Sequence, residues 1–168
     1  MKSTLKLMSV LFVTLLLSCG GKEEKKKEGF SYQKKAPTEK TTTKKAEKKV
    51  PASKTIDLTN KGVGPIKSIT LGAEIDQKMA AHGADVFKKM CTACHRPDKK
   101  FIGPAPKNIL ERRTPEWVMN MILDPEGMVK NDPLAKDLLI EFNGSPMANQ
   151  NLTEEEARAV LEYFRTLK

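Results

Sequence analysis

A chain of 168 residues has room for one domain plus extensions. Its net charge of +9 is unevenly placed: residues 22–54 hold 12 Lys and 5 Glu, Lys2 and Lys6 supply the rest, and residues 55–168 hold 16 basic and 16 acidic groups. The excess basicity belongs to an extension, so the basic folded face of a nucleic-acid-binding module is not expected, nor is a nucleic-acid partner.

Residues 1–18 place Lys2 and Lys6 around the start of an apolar run that extends from Leu5 to Leu17. That is the layout of an export signal, which stands outside the fold, and it is short for a membrane span. Its end, Leu16-Leu17-Ser18-Cys19, resembles the lipobox of bacterial lipoproteins. The resemblance implies that Cys19 is lipidated and becomes the mature N-terminus, although Leu17 is a less usual choice at its position. The alternative is an ordinary signal peptide with a stray Cys. Three acyl chains would anchor stably, where a single chain is marginal.

Residues 19–54 form the next block. After Cys19 they are Lys, Glu, Thr, Pro and Ala with few apolar residues, a composition that predicts a disordered tether. As a flexible coil it would span about 30–36 Å, with an upper reach of roughly 120 Å. Its lysines are placed to meet anionic headgroups, though a solvated spacer needs no such contact. By analogy with lipoproteins, Lys22-Glu23-Glu24 hints at surface export, and Gly20 rather than Asp argues against inner-membrane retention. The expected location is the cell envelope, lipid-anchored and facing the periplasm, with the outer membrane favoured.

Residues 55–73 regain apolar positions at Ile56, Leu58, Val63, Ile66, Ile69 and Leu71. They predict an extended arm packed on the domain, or else the end of the tether. A helix is predicted over residues 74–90, with Ala80, Gly83, Ala84, Phe87 and Met90 at helical spacing.

The helix runs into Cys91-Thr92-Ala93-Cys94-His95. C-x-x-C-H is the attachment signature of c-type haem. Two thiols add to the porphyrin vinyl groups, and His95 follows as the proximal iron ligand. The alternatives are half a zinc site, a redox dithiol or a chance match. Zinc needs four ligands, and the other Cys and His are Cys19 and His82. A dithiol of thioredoxin type needs a strand–helix–strand context, which this sequence lacks. With Cys19 on lipid and Cys91 and Cys94 on haem, no cysteine remains for a disulfide.

Gly83-x-x-x-Phe87-x-x-x-Cys91-x-x-Cys94-His95 resembles the N-terminal helix of class I cytochromes c. The resemblance covers residues 74–168 and implies an all-α domain around one covalent haem c. It implies that Gly83 allows a close crossing by the C-terminal helix and that Phe87 packs there. His82 is a weak alternative ligand, because its helix crowds the attachment site. In the loop at residues 96–113, the resemblance makes the carbonyl of Pro104, or else of Pro106, the acceptor for the His95 Nδ1 proton. That bond would fix the tautomer and strengthen the ligand. Arg112 and Arg113 are candidates for the haem propionates, with solvated surface charge as the alternative.

Thr114-Pro115-Glu116-Trp117 opens the next helix with an N-cap, a Pro at the first position and an acid in the first turn. Trp117 is a candidate for the haem-pocket wall. Asn131-Asp132-Pro133 repeats the device and opens a helix to about Phe142. Met147 follows in the loop Asn143-Gly144-Ser145-Pro146-Met147, 52 residues after His95. The resemblance makes it the distal ligand, with Met128, expected in a loop, as the rival. Thr153-x-x-Glu156 is a capping box. It starts a final helix whose stripe is Ala157, Val160, Leu161, Phe164 and Leu167. Tyr163 and Phe164 are the candidates for meeting Gly83 and Phe87.

Ligation by His and Met leaves no open iron position, so an electron carrier rather than an enzyme is expected. Thioether ligation raises the potential. The alternatives are a haem-based enzyme or gas sensor with a labile distal ligand, or a non-redox module with a fortuitous motif. The implied partners are a quinol-oxidising complex as donor and a terminal oxidase or nitrous-oxide reductase as acceptor. Nothing in the residues chooses among them.

Overall fold

The computed structural model describes residues 50–168. The export signal, Cys19 and most of the Lys-rich stretch lie outside the described residues. Among the described residues five helices form: α1 (Gln77–Met90), α2 (Pro115–Leu123), α3 (Pro125–Asn131), α4 (Pro133–Glu141) and α5 (Glu154–Thr166). Short 3₁₀ turns occur at Ala52–Lys54 and Ile109–Glu111, and no strand forms among the described residues beyond an isolated Asp57–Arg113 bridge. The fold is all-α.

Each helix begins where a side chain takes up an orphan N–H. Asp76 caps α1, accepting from Met79 N at 2.9 Å. Asp76, rather than Glu74, therefore sets the start. Thr114, Asp124 and Asp132 cap α2, α3 and α4, and each is followed by a Pro at the first helical position. Thr153 and Glu156 complete the reciprocal box of α5. The short α3 corrects the expectation of a loop around Met128. Asp124-Pro125 is a third use of the cap-then-Pro device, with Gly127 N donating to Asp124 at 3.0 Å.

The frame is the crossing of α1 and α5. A Cβ on Gly83 would lie 1.8 Å from Ala159 O, so the two backbones touch there. Phe87 packs one turn on, its ring 5.4 Å from Tyr163 and 5.7 Å from Phe164. Gly83 thus meets Ala159 and Val160 rather than the two aromatics, because the helices cross one turn earlier along α5.

Glu162 is buried at the same crossing. It pairs with Arg158 and Arg165 at 2.6 Å each and accepts from Asp76 N at 2.9 Å. Burial pushes its carboxyl up, but Arg158, the Asp76 N–H and Arg165 together hold it below the usual 4.5. A carboxyl depressed on folding stabilises above its unfolded value, and that stabilisation is lost as pH falls through the folded value. Glu162→Ala is expected to cost about 3 kcal/mol at neutral pH, the low end for removing one partner of a buried pair, because both arginines keep some solvent contact. Denaturant unfolding of the holoprotein checks this, and the gap between variant and parent should shrink as pH is lowered below 4.5.

Residues 55–71 wrap the domain without regular structure. Asn120 fastens them, donating to Lys61 O and Ile66 O at 2.9 Å and accepting from Ile66 N at 2.9 Å. Ile66 is buried in the core cluster, and Ile69 and Leu71 pack against it. The ordered part starts earlier than composition implied. Residues 50–54, assigned to the tether, are described, and Ala52 is buried among them. The hydrogen bonds that hold this turn come from distant residues, so a local composition reading places the boundary too late.

Candidate functional site

Helix α1 ends at the attachment motif. Cys91 N donates to Phe87 O at 2.9 Å, and His95 N and Cys94 N then donate back to Cys91 O at 2.9 and 3.1 Å. One tight turn therefore carries Cys91, Cys94 and His95. Gly103 lies against the imidazole, where a Cβ would come 2.4 Å from His95 Cε1. His95 Nδ1 is 2.8 Å from Pro104 O, so Nε2 is the ring nitrogen this contact leaves for a ligand. Pro104, not Pro106, makes this contact.

These residues open onto a cavity of about 220 Å³ lined by residues of all five helices. Phe87 comes from α1, Trp117 and Met121 from α2, Val129 from α3, Leu138 from α4 and Phe164 from α5. The loop between α4 and α5 adds Pro146 and Met147. His95 and Met147 thus face one mostly apolar space.

Two polar features interrupt it. Arg112 and Arg113 both line the cavity. Arg112 gives Nη1 to Asn108 O at 3.0 Å and Nη2 to Lys107 O at 3.2 Å. Arg113 gives its two Nη groups to backbone carbonyls as well. The Nε of each is buried with no hydrogen-bond partner among the described residues. A buried, unpaired N–H of a cation calls for an anion. Burial and the neighbouring Arg112 lower the proton affinity of Arg113, partly offset by Asp57, Asp132 and Glu141. Trp117 is buried against the cavity, its Nε1 donating to Asp132 at 3.2 Å.

Met128 is fully buried in α3, its sulfur accepting from Val63 N at 3.1 Å, and it does not line the cavity. His82 is exposed and does not line it either. No group of three or more His, Cys, Asp or Glu that could hold a metal occurs among the described residues. Among the described residues the zinc reading therefore has no ligand cluster. Burial, with Cys94 adding to it, pushes the Cys91 thiol up to about 11.

An apolar cavity with two thiols and an imidazole at its edge and two unpaired cationic N–H groups fits a haem with its two carboxylates. The family model described as Cytochrome c matches residues 80–168. The chain belongs to the cytochrome c family. Cytochrome c-551 of Ectopseudomonas mendocina is 33% identical over 89 residues, covering 52% of this chain and 100% of that protein. A cytochrome c structure from Rhodothermus marinus is 45% identical with a TM-score of 0.60, covering 62% of this chain and 89% of that one. An engineered form of the Rhodothermus protein, bound to a carbene intermediate, is 44% identical with a TM-score of 0.57, covering 62% of this chain and 89% of that one. The cofactor of this cytochrome c is covalent haem c on Cys91 and Cys94. Its function is haem-based electron transfer, and the family works outside the cytoplasm. Among the described residues, no helix is long and apolar enough to cross a membrane.

The sequence reading missed Gly103 as the backing of the imidazole and Ser53 as a cavity residue. A Gly eight residues after His95 was the available signal for the first. Nothing near Ser53 signalled the second.

Proposed function

We propose that this cytochrome c carries single electrons through a haem held by His95 and Met147, on a module tethered to lipid through Cys19. The observation that carries the reading is the shared cavity: His95 presents Nε2 to it, and among the rival methionines Met128 is sealed away. The haem, when bound, supplies a one-electron iron couple, and a Met ligand raises its potential. The chain supplies the rest. Pro104 O holds the imidazole, Gly103 admits it, and the apolar wall excludes water. Arg112 and Arg113 take the haem carboxylates, and Trp117 walls the pocket. Met121 and Met90 also line the cavity, but both sit in helices. Met147 lies in a loop free to present its sulfur.

The partner is a protein with an acidic docking rim. The stretch around the attachment turn carries Lys88, Lys89, Arg96, Lys99, Lys100 and Lys107 against Asp98 alone. Phe101 and Ile102 are exposed within it, and Arg96 lies 4.1 Å over the Phe101 ring. The domain is neutral overall but not evenly so, which steers association. A quinol-oxidising donor and a terminal oxidase or nitrous-oxide reductase acceptor are the partners to test. The anchored location is the periplasmic face of the envelope, with the outer membrane favoured.

Potentiometric titration of the purified holoprotein tests the carrier role. A single reversible one-electron wave is expected, with no carbon monoxide bound by the reduced form at neutral pH. Ready carbon monoxide binding would favour an enzyme or gas sensor with an open distal position.

A further inference from the structure

The family model begins at residue 80, yet a stretch well before it reaches the haem cavity. Ser53 is one of the lining residues. Its turn is pinned to α4 by Glu141, which accepts from Ser53 N at 2.8 Å and from Ser53 Oγ at 2.6 Å. Two carbonyls of the same stretch then grip Arg113. Nη2 donates to Ala52 O at 2.6 Å, and Nη1 donates to Thr55 O and, at 2.8 Å, to Arg112 O. Asp57 N continues the contact, donating to Arg112 O at 2.9 Å. Arg113 is left 1% exposed, its guanidinium 5.2 Å from the Trp117 ring, with Nε alone unpartnered among the described residues.

We propose that residues 51–57 are a working part of the haem site: they hold the Arg113 guanidinium toward the haem carboxylates and thereby raise the reduction potential. This rests on the reading above that Arg113 faces those carboxylates. Ferric haem carries one more positive charge than ferrous haem, so a nearby cation disfavours oxidation. The effect is strong only where water is excluded and the local dielectric is low. Without the two carbonyls, the same arginine turns toward solvent and its influence is screened. Ser53 and Glu141 therefore act through Arg113, as positioning residues.

Ser53→Pro removes both donors to Glu141 and alters no charge. In the full-length holoprotein, amide exchange at Lys54, Thr55 and Asp57 reports release of the turn, and the midpoint potential reports the haem. Release should lower the potential by about 59 mV, a tenfold change in the ferric-to-ferrous ratio for one electron. Arg113→Gln should give a similar fall, and the double variant should add little to either. A released turn with an unchanged potential, or a double variant showing the full sum, overturns the proposal. If Ser53→Pro leaves exchange unchanged, deletion of residues 50–54 within the full chain takes its place under the same criteria. A fall in Arg113→Gln alone removes only the role of residues 51–57. No fall in Arg113→Gln removes the placement of Arg113 on the haem carboxylates.

Discussion

A chain carrying Cys91→Ala and Cys94→Ala is expected to be largely unfolded. The core has few large side chains of its own: Phe87, Trp117 and Phe142 are the buried aromatics among the described residues. Every helix among the described residues contributes to the wall of the haem cavity, so the cofactor is what these helices share. Leaving about 220 Å³ empty would cost about 5 kcal/mol at 24 cal/mol per Å³. A domain of this size has only about 5–15 kcal/mol to lose. The α1–α5 crossing, with Gly83 against Ala159, makes the most extensive helix–helix contact among the described residues, and two helices alone do not make a stable domain. Far-UV circular dichroism and thermal melting of the variant check this. Native-like helicity with a cooperative melt would show that the protein core suffices without haem.

Met147→Ala is expected to lower the midpoint potential by on the order of 0.1 V, within the range of about 0.8 V that axial ligands command. The reduced variant should also bind carbon monoxide, because the sixth position is opened. Stability should fall less than activity as a carrier, since Met147 is only partly buried in a loop. Redox titration and carbon monoxide difference spectra read the two effects separately. Met128→Leu serves as the contrast. Its sulfur accepts a hydrogen bond from Val63 N and lies against Gly62, so that variant should shift stability and leave the haem spectrum alone.

Much of this was legible because it is written in short-range chemistry. The attachment motif, the Thr114-Pro115 and Asp132-Pro133 helix starts and the Thr153–Glu156 box each need only neighbouring residues. Pro104 was legible through resemblance alone, since nothing local distinguishes its carbonyl from that of Pro106. Helix α3 was missed because seven residues with a Gly in the first turn carry too little periodicity to stand out, although Asp124-Pro125 announces them. The pairing of Gly83 with Ala159 was placed a turn too late, because a helical stripe gives the face but not the height of a crossing. The early edge of the domain was hidden for a different reason. Ala52 and Thr55 act through backbone carbonyls, which carry no sequence signature, and their partner Arg113 is more than fifty residues away.

The absorption spectrum of the oxidised, purified holoprotein tests the central claim most directly. A sulfur-to-iron charge-transfer band is expected, present in the parent and absent in Met147→Ala. A parent spectrum without that band, unchanged by Met147→Ala, would contradict the assignment of His95 and Met147 as the two hands on the iron.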